Sequence, residues 1–365
     1  MKKASPVILL ISLSVGVSVW LTTHSQIPQT SDGLSKAAPV EQVRAIVDKE
    51  QAAEHTSNIR STGVDAAFKK IDFIDRKNGW GITLHGLWKT LDGAQSWTLQ
   101  KQAYPNPVLQ MPRQAIIKDV QFISGTVGWL LEDDYLLRTQ DGGKSWQKKA
   151  FKDTDINSFI FIDDKSGWCV AQRQITPATP DGEERFQGLI YATDDGGDTW
   201  ELQFAGKPGD LYSSRFEGVF AISTRTVWVV GYDLLHTKDG GKTWKQVWVD
   251  KRDELYGRNN RIEFADENTG WITANQGGLY LLTNDGGRSW ELRSGPHSEG
   301  FYDLIYISSS EAYLVGGGIY KSSDGGKSWN KIIEGDNSSY MDVNHLKTNN
   351  LLTAGGSKFV IYPLN

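Results

Sequence analysis

Thr139-Gln140-Asp141-Gly142-Gly143-Lys144-Ser145-Trp146 is the stretch that decides the fold, because it recurs. Five further segments align on it: Thr90 to Trp97 through Asp92, Thr193 to Trp200 through Asp195, and Thr237 to Trp244 through Asp239. The last two are Thr283 to Trp290 through Asp285 and Ser322 to Trp329 through Asp324. Successive Trp residues lie 49, 54, 44, 46 and 39 positions apart. That is the length of one four-stranded propeller blade. Apolar runs such as Leu279-Tyr280-Leu281-Leu282 precede the motif, so it reads as a hairpin turn between two strands. Glycine supplies positive φ, the Asp side chain binds turn amides, and the Trp enters the next strand to fill space between blades.

A second repeat lies upstream of the first. Ile71-Asp72-Phe73 leads to Gly79-Trp80, Val120-Gln121-Phe122 to Gly128-Trp129, and Phe159-Ile160-Phe161 to Gly167-Trp168. Ile262-Glu263-Phe264 leads likewise to Gly270-Trp271; Val219-Phe220 with Val227-Trp228 and Leu304-Ile305-Tyr306 with Ala312-Tyr313 are degenerate copies. Each unit is therefore strand A, turn, strand B opening on Gly-Trp, strand C, motif, strand D. After Trp329 the pattern runs once more without a motif, through Met341-Asp342-Val343, Leu351-Leu352-Thr353 and Phe359-Val360-Ile361-Tyr362. The expected fold is all-β, a seven-bladed propeller, with six blades plus a tail as the alternative. A strand from within Ser57 to Val64 would complete blade seven and remove two exposed edges.

The motif is the Asp-box, or bacterial neuraminidase repeat. Together with the Gly-Trp repeat, residues 66–365 resemble the photosystem II stability and assembly-factor family of Asp-box propellers. The resemblance implies a non-enzymatic assembly factor on the lumenal side of a membrane. The chain departs from that family's usual pattern at Ala94, where a box Gly is usual, and in a leader without Cys.

Lys2 and Lys3 precede an uncharged run from Ala4 to Thr23. Residues 1–25 read as a signal peptide or a membrane anchor, and 26–60 as a flexible, partly helical linker. The propeller then spans 61–365. Either leader places it outside the cytoplasm, periplasmic or lumenal. The net charge of −5 comes from interspersed acids and bases, which gives no reason to expect nucleic acid. Cys169, the one cysteine, follows Trp168 in an apolar strand and reads as a packed, inert thiol.

Catalytic motifs are missing. Gly-Lys-Ser/Thr occurs in three boxes, but Arg138, His236 and Lys321 stand where a phosphate loop needs Gly. No Arg-Ile-Pro signature of sialidases occurs, and Met111-Pro112-Arg113 is not equivalent. The six His are scattered, so neither a metal nor another cofactor is expected. Acids on A strands, such as Asp119, Glu217, Glu263 and Asp303, keep a glycan-binding or glycoside-hydrolysing propeller as the alternative.

Blade topology separates two faces. A–B turns and boxes share one; B–C and D–A loops share the other. The long loops, Gln100 to Ala115, Phe204 to Arg215, Val249 to Arg261, Ser294 to Tyr302 and the excursion Gln172 to Gly188, all fall on the second. They carry Tyr104, Arg113, Tyr212, Arg215, Tyr256, Arg258, Arg261 and Tyr302, with Tyr340 beyond them. Arg and Tyr are common interface anchors. The expected partner is a protein, a membrane protein or its extramembrane segment, bound by a monomeric propeller on this face.

Overall fold

The computed structural model describes residues 60–61, 67–103, 116–149, 151, 154–175, 185–207, 215–247, 261–273, 278–296, 301–335, 340, 342–346, 351–356 and 358–363. The leader, and the linker up to residue 59, lie outside them. Seven four-stranded antiparallel sheets make seven blades. Blade 1 runs Lys70–Phe73, Gly79–Thr83, Gly86–Thr90 and Thr98–Gln102 as strands A to D. Strands A of blades 2 to 7 are Ile117–Phe122, Asp155–Phe161, Phe216–Ala221, Arg261–Phe264, Asp303–Tyr306 and Asp342–Leu346. Blade 7 takes its outer strand from the N-terminal side: Arg60 pairs with Phe359 and Ser61 with Lys358. The ring therefore closes within the segment the sequence marked.

Each box is a closed hydrogen-bond circuit. Thr139 Oγ1 donates to Asp141 Oδ1 at 2.8 Å and accepts from the Gly143 amide at 2.9 Å. Asp141 also accepts from the Ser145 amide at 2.9 Å and the Ser145 hydroxyl at 2.6 Å. The two box glycines sit at positive φ, 77° and 93° for Gly142 and Gly143. Ala94 holds the same left-handed conformation at φ 65° without being glycine.

The Gly-Trp repeat is a packing device. The last residue of strand A faces the first of strand B: Phe73 with Gly79, Phe122 with Gly128, Phe161 with Gly167, Phe264 with Gly270. A Cβ on Gly128 would lie 2.4 Å from the Phe122 ring, so only glycine fits. The Trp that follows then stacks on the Phe of the next blade. Trp80 lies 3.6 Å from Phe122 and Trp129 3.6 Å from Phe161, centroid to centroid and nearly parallel. The half-buried box Trp of that next blade closes the Phe from the side, as Trp146 does for Phe122. Blade 4 inverts the size rule, with Ala221 opposite Val227. Among the described residues the core consists of seven hydrophobic clusters, one at each junction between blades.

One expected loop is partly strand. The excursion from Gln172 to Gly188 continues the B–C hairpin of blade 3, with Gln172 opposite Gly188 and pairing out to Ile175 and Arg185. Arg173 donates across it to Gln187. Cys169 is fully buried, and burial pushes its thiol pKa up, consistent with an inert side chain.

Candidate functional site

Strands A line a central channel of about 590 Å³. Each starts on the long-loop face, so its first residues form the channel mouth there. The lining is strongly charged: Lys70, Asp72, Lys118, Asp119, Arg215, Glu217, Arg261 and Glu263, with Asp303 and Asp342 buried behind Arg261. Blades 2, 3 and 4 each carry a β-bulge at this end, between Ile117 and Asp119, Ile156 and Ser158, and Phe216 and Gly218. The extra residues are Lys118, Asn157 and Glu217, and all three enter the channel lining. A bulge re-aims a side chain that strict alternation would turn away. Its signal is legible in hindsight: two consecutive non-apolar residues interrupt the alternation in Ile117-Lys-Asp-Val120, Ile156-Asn-Ser-Phe159 and Phe216-Glu-Gly-Val219.

Many lining groups staple neighbouring blades. Arg261 Nη1 lies 3.1 Å from Asp303 Oδ1 and 3.6 Å from Asp342 Oδ1. Lys70 Nζ lies 3.9 Å from Asp342 and 3.8 Å from Asp119. Asp303 accepts the Val343 amide at 3.1 Å, and Asp342 accepts the Ile71 amide at 2.9 Å. Asp72 accepts the Phe122 amide, Gln121 pairs with both backbone groups of Phe161, and the Asn157 amide donates to the Phe216 carbonyl at 2.7 Å. These links join blades 1–2, 2–3, 3–4, 5–6, 6–7 and 7–1.

Burial in the channel wall shifts its acids. Burial pushes Asp72 up to about 7, against the pull of the Phe122 amide and Lys70. Burial, aided by neighbouring Asp303, takes Glu263 to about 8. Burial raises Asp342 to about 6, opposed by Lys70. Burial and Arg261 would lower Lys70, but Asp342, Asp119 and Asp303 outweigh them and raise it. Asp303 and Asp342 are each held by a backbone amide and a cation. Such carboxylates fix strands; they do not stand free as a nucleophile or base. Among the described residues no group of three or more His, Cys, Asp and Glu side chains could hold a metal ion.

The loop-face residues marked in the sequence fare differently. Arg215 stands at the mouth, its Nε 2.7 Å from Glu217. Arg261 opens strand A of blade 5 instead of ending a loop; 37% of its side chain still meets channel water. Tyr302 is exposed beside strand A of blade 6. Tyr340 is corrected: it is fully buried in the junction of blades 6 and 7, where its ring is core and offers no surface. Tyr104, Arg113, Tyr212, Tyr256 and Arg258 lie outside the described residues. Single-sequence reading missed Lys70, Lys118, Asn157 and Asp342, because it had no means to tell which polar strand residues face the axis.

Comparison with solved structures returns propellers. A structure of YCF48 bound to D1 peptide matches at 20% identity with a TM-score of 0.58, covering 84% of this chain and 94% of that one. YCF48 from Cyanidioschyzon merolae matches at 17% identity and TM-score 0.59, over 84% of this chain and 98% of that one. An enzyme also matches: virginiamycin B lyase from Staphylococcus aureus, at 10% identity and TM-score 0.57, over 84% and 99% of the two chains. These identities carry likeness of fold alone. No curated protein matches significantly in sequence. The family model for photosynthesis system II assembly factor YCF48 matches residues 100–190 and 185–294, more than half of the sequence. The chain therefore belongs to the photosynthesis system II assembly factor YCF48 family.

Proposed function

We propose that this propeller binds a protein segment at the charged channel mouth on its long-loop face, and so assists assembly or stability of a membrane complex outside the cytoplasm. The reading carries no catalysis. The observation behind it is the mouth: cations Lys118 and Arg215 and exposed Tyr302 on a rigid closed ring. Recognition residues concentrate on loops held by such scaffolds. A YCF48 structure that holds a D1 peptide supports a peptide as the ligand class. A glycoside hydrolase would need two carboxyl groups open to substrate; Asp303, Asp342 and Asp72 are engaged with backbone amides instead.

The test is crosslinking in native membranes followed by identification of captured subunits. A variant carrying Lys118→Ala, Arg215→Ala and Tyr302→Ala should lose at least about tenfold in capture, as loss of two or three interface anchors implies. Equal capture by the folded triple variant overturns the proposal.

A further inference from the structure

The aromatic ring near the start of strand B has one residue directly opposite it on strand C. Lys89 faces Trp80, Arg138 faces Trp129, His236 faces Trp228, Leu282 faces Trp271 and Lys321 faces Tyr313. In blade 3 the residue opposite Trp168 is Ala192.

The cations at this position are not idle. Lys89 Nζ sits 4.7 Å from the Trp80 centroid, and the Arg138 guanidinium carbon 5.9 Å from that of Trp129. Both then reach the next blade. Lys89 donates to the Gly142 carbonyl at 3.2 Å; Arg138 donates to the carbonyls of Asp195 and Asp164 at 3.3 Å each. A box and an A–B turn thus form a carbonyl cradle for a positive head group, roofed by the Trp of the preceding blade.

The equivalent cradle between blades 3 and 4 is reached by the neutral amide of Gln203, which caps the Gly240 carbonyl, and by no cation. A Cβ built on Gly142 would meet Lys89 Nζ at 2.8 Å, and one on Gly196 would meet Arg138 at 2.5 Å. On the equivalent Gly240 it would meet only the Thr224 carbonyl, at 3.0 Å. The aromatic that ends strand A in blades 1, 2, 3, 5 and 6 is also missing, being Ala221. What remains is an opening of about 420 Å³ bordered by Trp168, Ala192, Asp194, Glu201, Gln203 and Gly240. Its unpaired groups are the indole N–H groups of Trp168 and Trp200 and a set of acceptors. Gln203 donates its amide to the Gly240 carbonyl at 2.9 Å, which leaves its own buried Oε1 without a hydrogen bond. Asp194 and Glu201 stand exposed at the rim. The edge of the largely buried Trp168, the Thr224 carbonyl, the Gln203 amide oxygen and two rim carboxylates together favour a cation.

We propose that this junction, on the box face, is a receptor for an arginine side chain presented by a partner protein, docked where Lys89 and Arg138 dock in the protein's own blades 1 and 2. Arg138 shows the arginine geometry, and Lys89 sets an ammonium between the equivalent Trp and the equivalent box. This site is separate from the channel mouth, so a partner could be gripped on both faces of the disc.

The probe is N-acetyl-arginine methylamide, with the neutral citrulline analogue as control, titrated into the full chain labelled with ¹⁵N. The readout is the Trp168 indole signal, assigned by its loss in Trp168→Phe. The arginine probe should shift it saturably, and citrulline should bind about tenfold more weakly, the scale of a desolvated cation–π contact. Ala192→Arg should fill the cradle and abolish the response. Paired Asp194→Asn and Glu201→Gln substitutions, on the exposed rim and harmless to folding, should weaken it severalfold. An unmoved Trp168 signal, equal binding of citrulline, or an unchanged response in either variant overturns the proposal.

Discussion

Blade 4 contains a natural size swap that can be transplanted. In blade 2, Phe122 lies against Gly128, stacks on Trp80 and meets the edge of Trp146. In blade 4 the same two positions hold Ala221 and Val227. Phe122→Ala alone removes a side chain that is 4% exposed and should cost about 3–5 kcal/mol. Gly128→Val alone places a Cβ 2.4 Å from the Phe122 ring, an overpacking worth about 1–3 kcal/mol or more. Gly128 has no positive φ, so valine suffers no backbone strain there. In the double variant the clash disappears and the valine refills part of the cavity. The double should therefore be less destabilised than the sum of the singles by about 1–3 kcal/mol. Equilibrium urea unfolding followed by Trp fluorescence measures all three, with midpoints compared at constant slope. Additivity within about 0.5 kcal/mol would refute the argument that these two positions exchange volume.

Box acids and channel acids should respond oppositely to pH. Hydrogen bonds from Ser96 hold Asp92 at about 2, so their stabilisation is complete above the ordinary carboxylate range and fades as pH falls from about 4 through 2. Asp72, held up at about 7 by burial, ionises later in the folded chain than in the unfolded one. Folding stability should therefore decline as pH rises from about 4 to 7, and Asp72→Asn should flatten that decline in unfolding midpoints; an unchanged slope would count against it. Gly287→Ala should destabilise by about 2–4 kcal/mol, since its Cβ would lie 2.3 Å from Trp228 at φ 77°. Ala94→Gly should move calorimetric stability by less than about 1 kcal/mol, because relief at φ 65° offsets one buried methyl. Deleting residues 1–64 removes Arg60 and Ser61 from the edge of blade 7. The thermal midpoint should fall by several degrees, about 1–2 kcal/mol; an unaltered midpoint would show that the closing strand adds nothing.

The glycan alternative and the peptide reading make different demands on the same channel. The arrangement of Arg261, Lys70, Asp303 and Asp342 bears on both, and that arrangement was invisible before folding. The motifs, by contrast, were legible because they close on themselves. Ser145 reaches Asp141 four residues away, and Gly128 meets Phe122 across one turn. Local repeats of that kind specify the blade unit and its strand order, and leave the choice of six or seven blades to the tertiary structure.

Two kinds of feature needed the tertiary structure. Stapling contacts such as the Ile71 amide on Asp342 join residues 271 positions apart, so no spacing rule announces them. The buried Tyr340 looked like a loop residue for the same reason: its neighbours are Tyr313 and Val343, in the two blades it seals together. The second kind is a vacancy. Ala192 and Ala221 are unremarkable letters in the sequence, and they matter only because both fall beside Trp168 at one junction. The recurring Asp-Gly-Gly box sufficed to determine the propeller, since its turn geometry depends on a few adjacent residues. Where charge gathers and where packing is left open are properties of neighbours brought together by ring closure, and only the folded ring decides them.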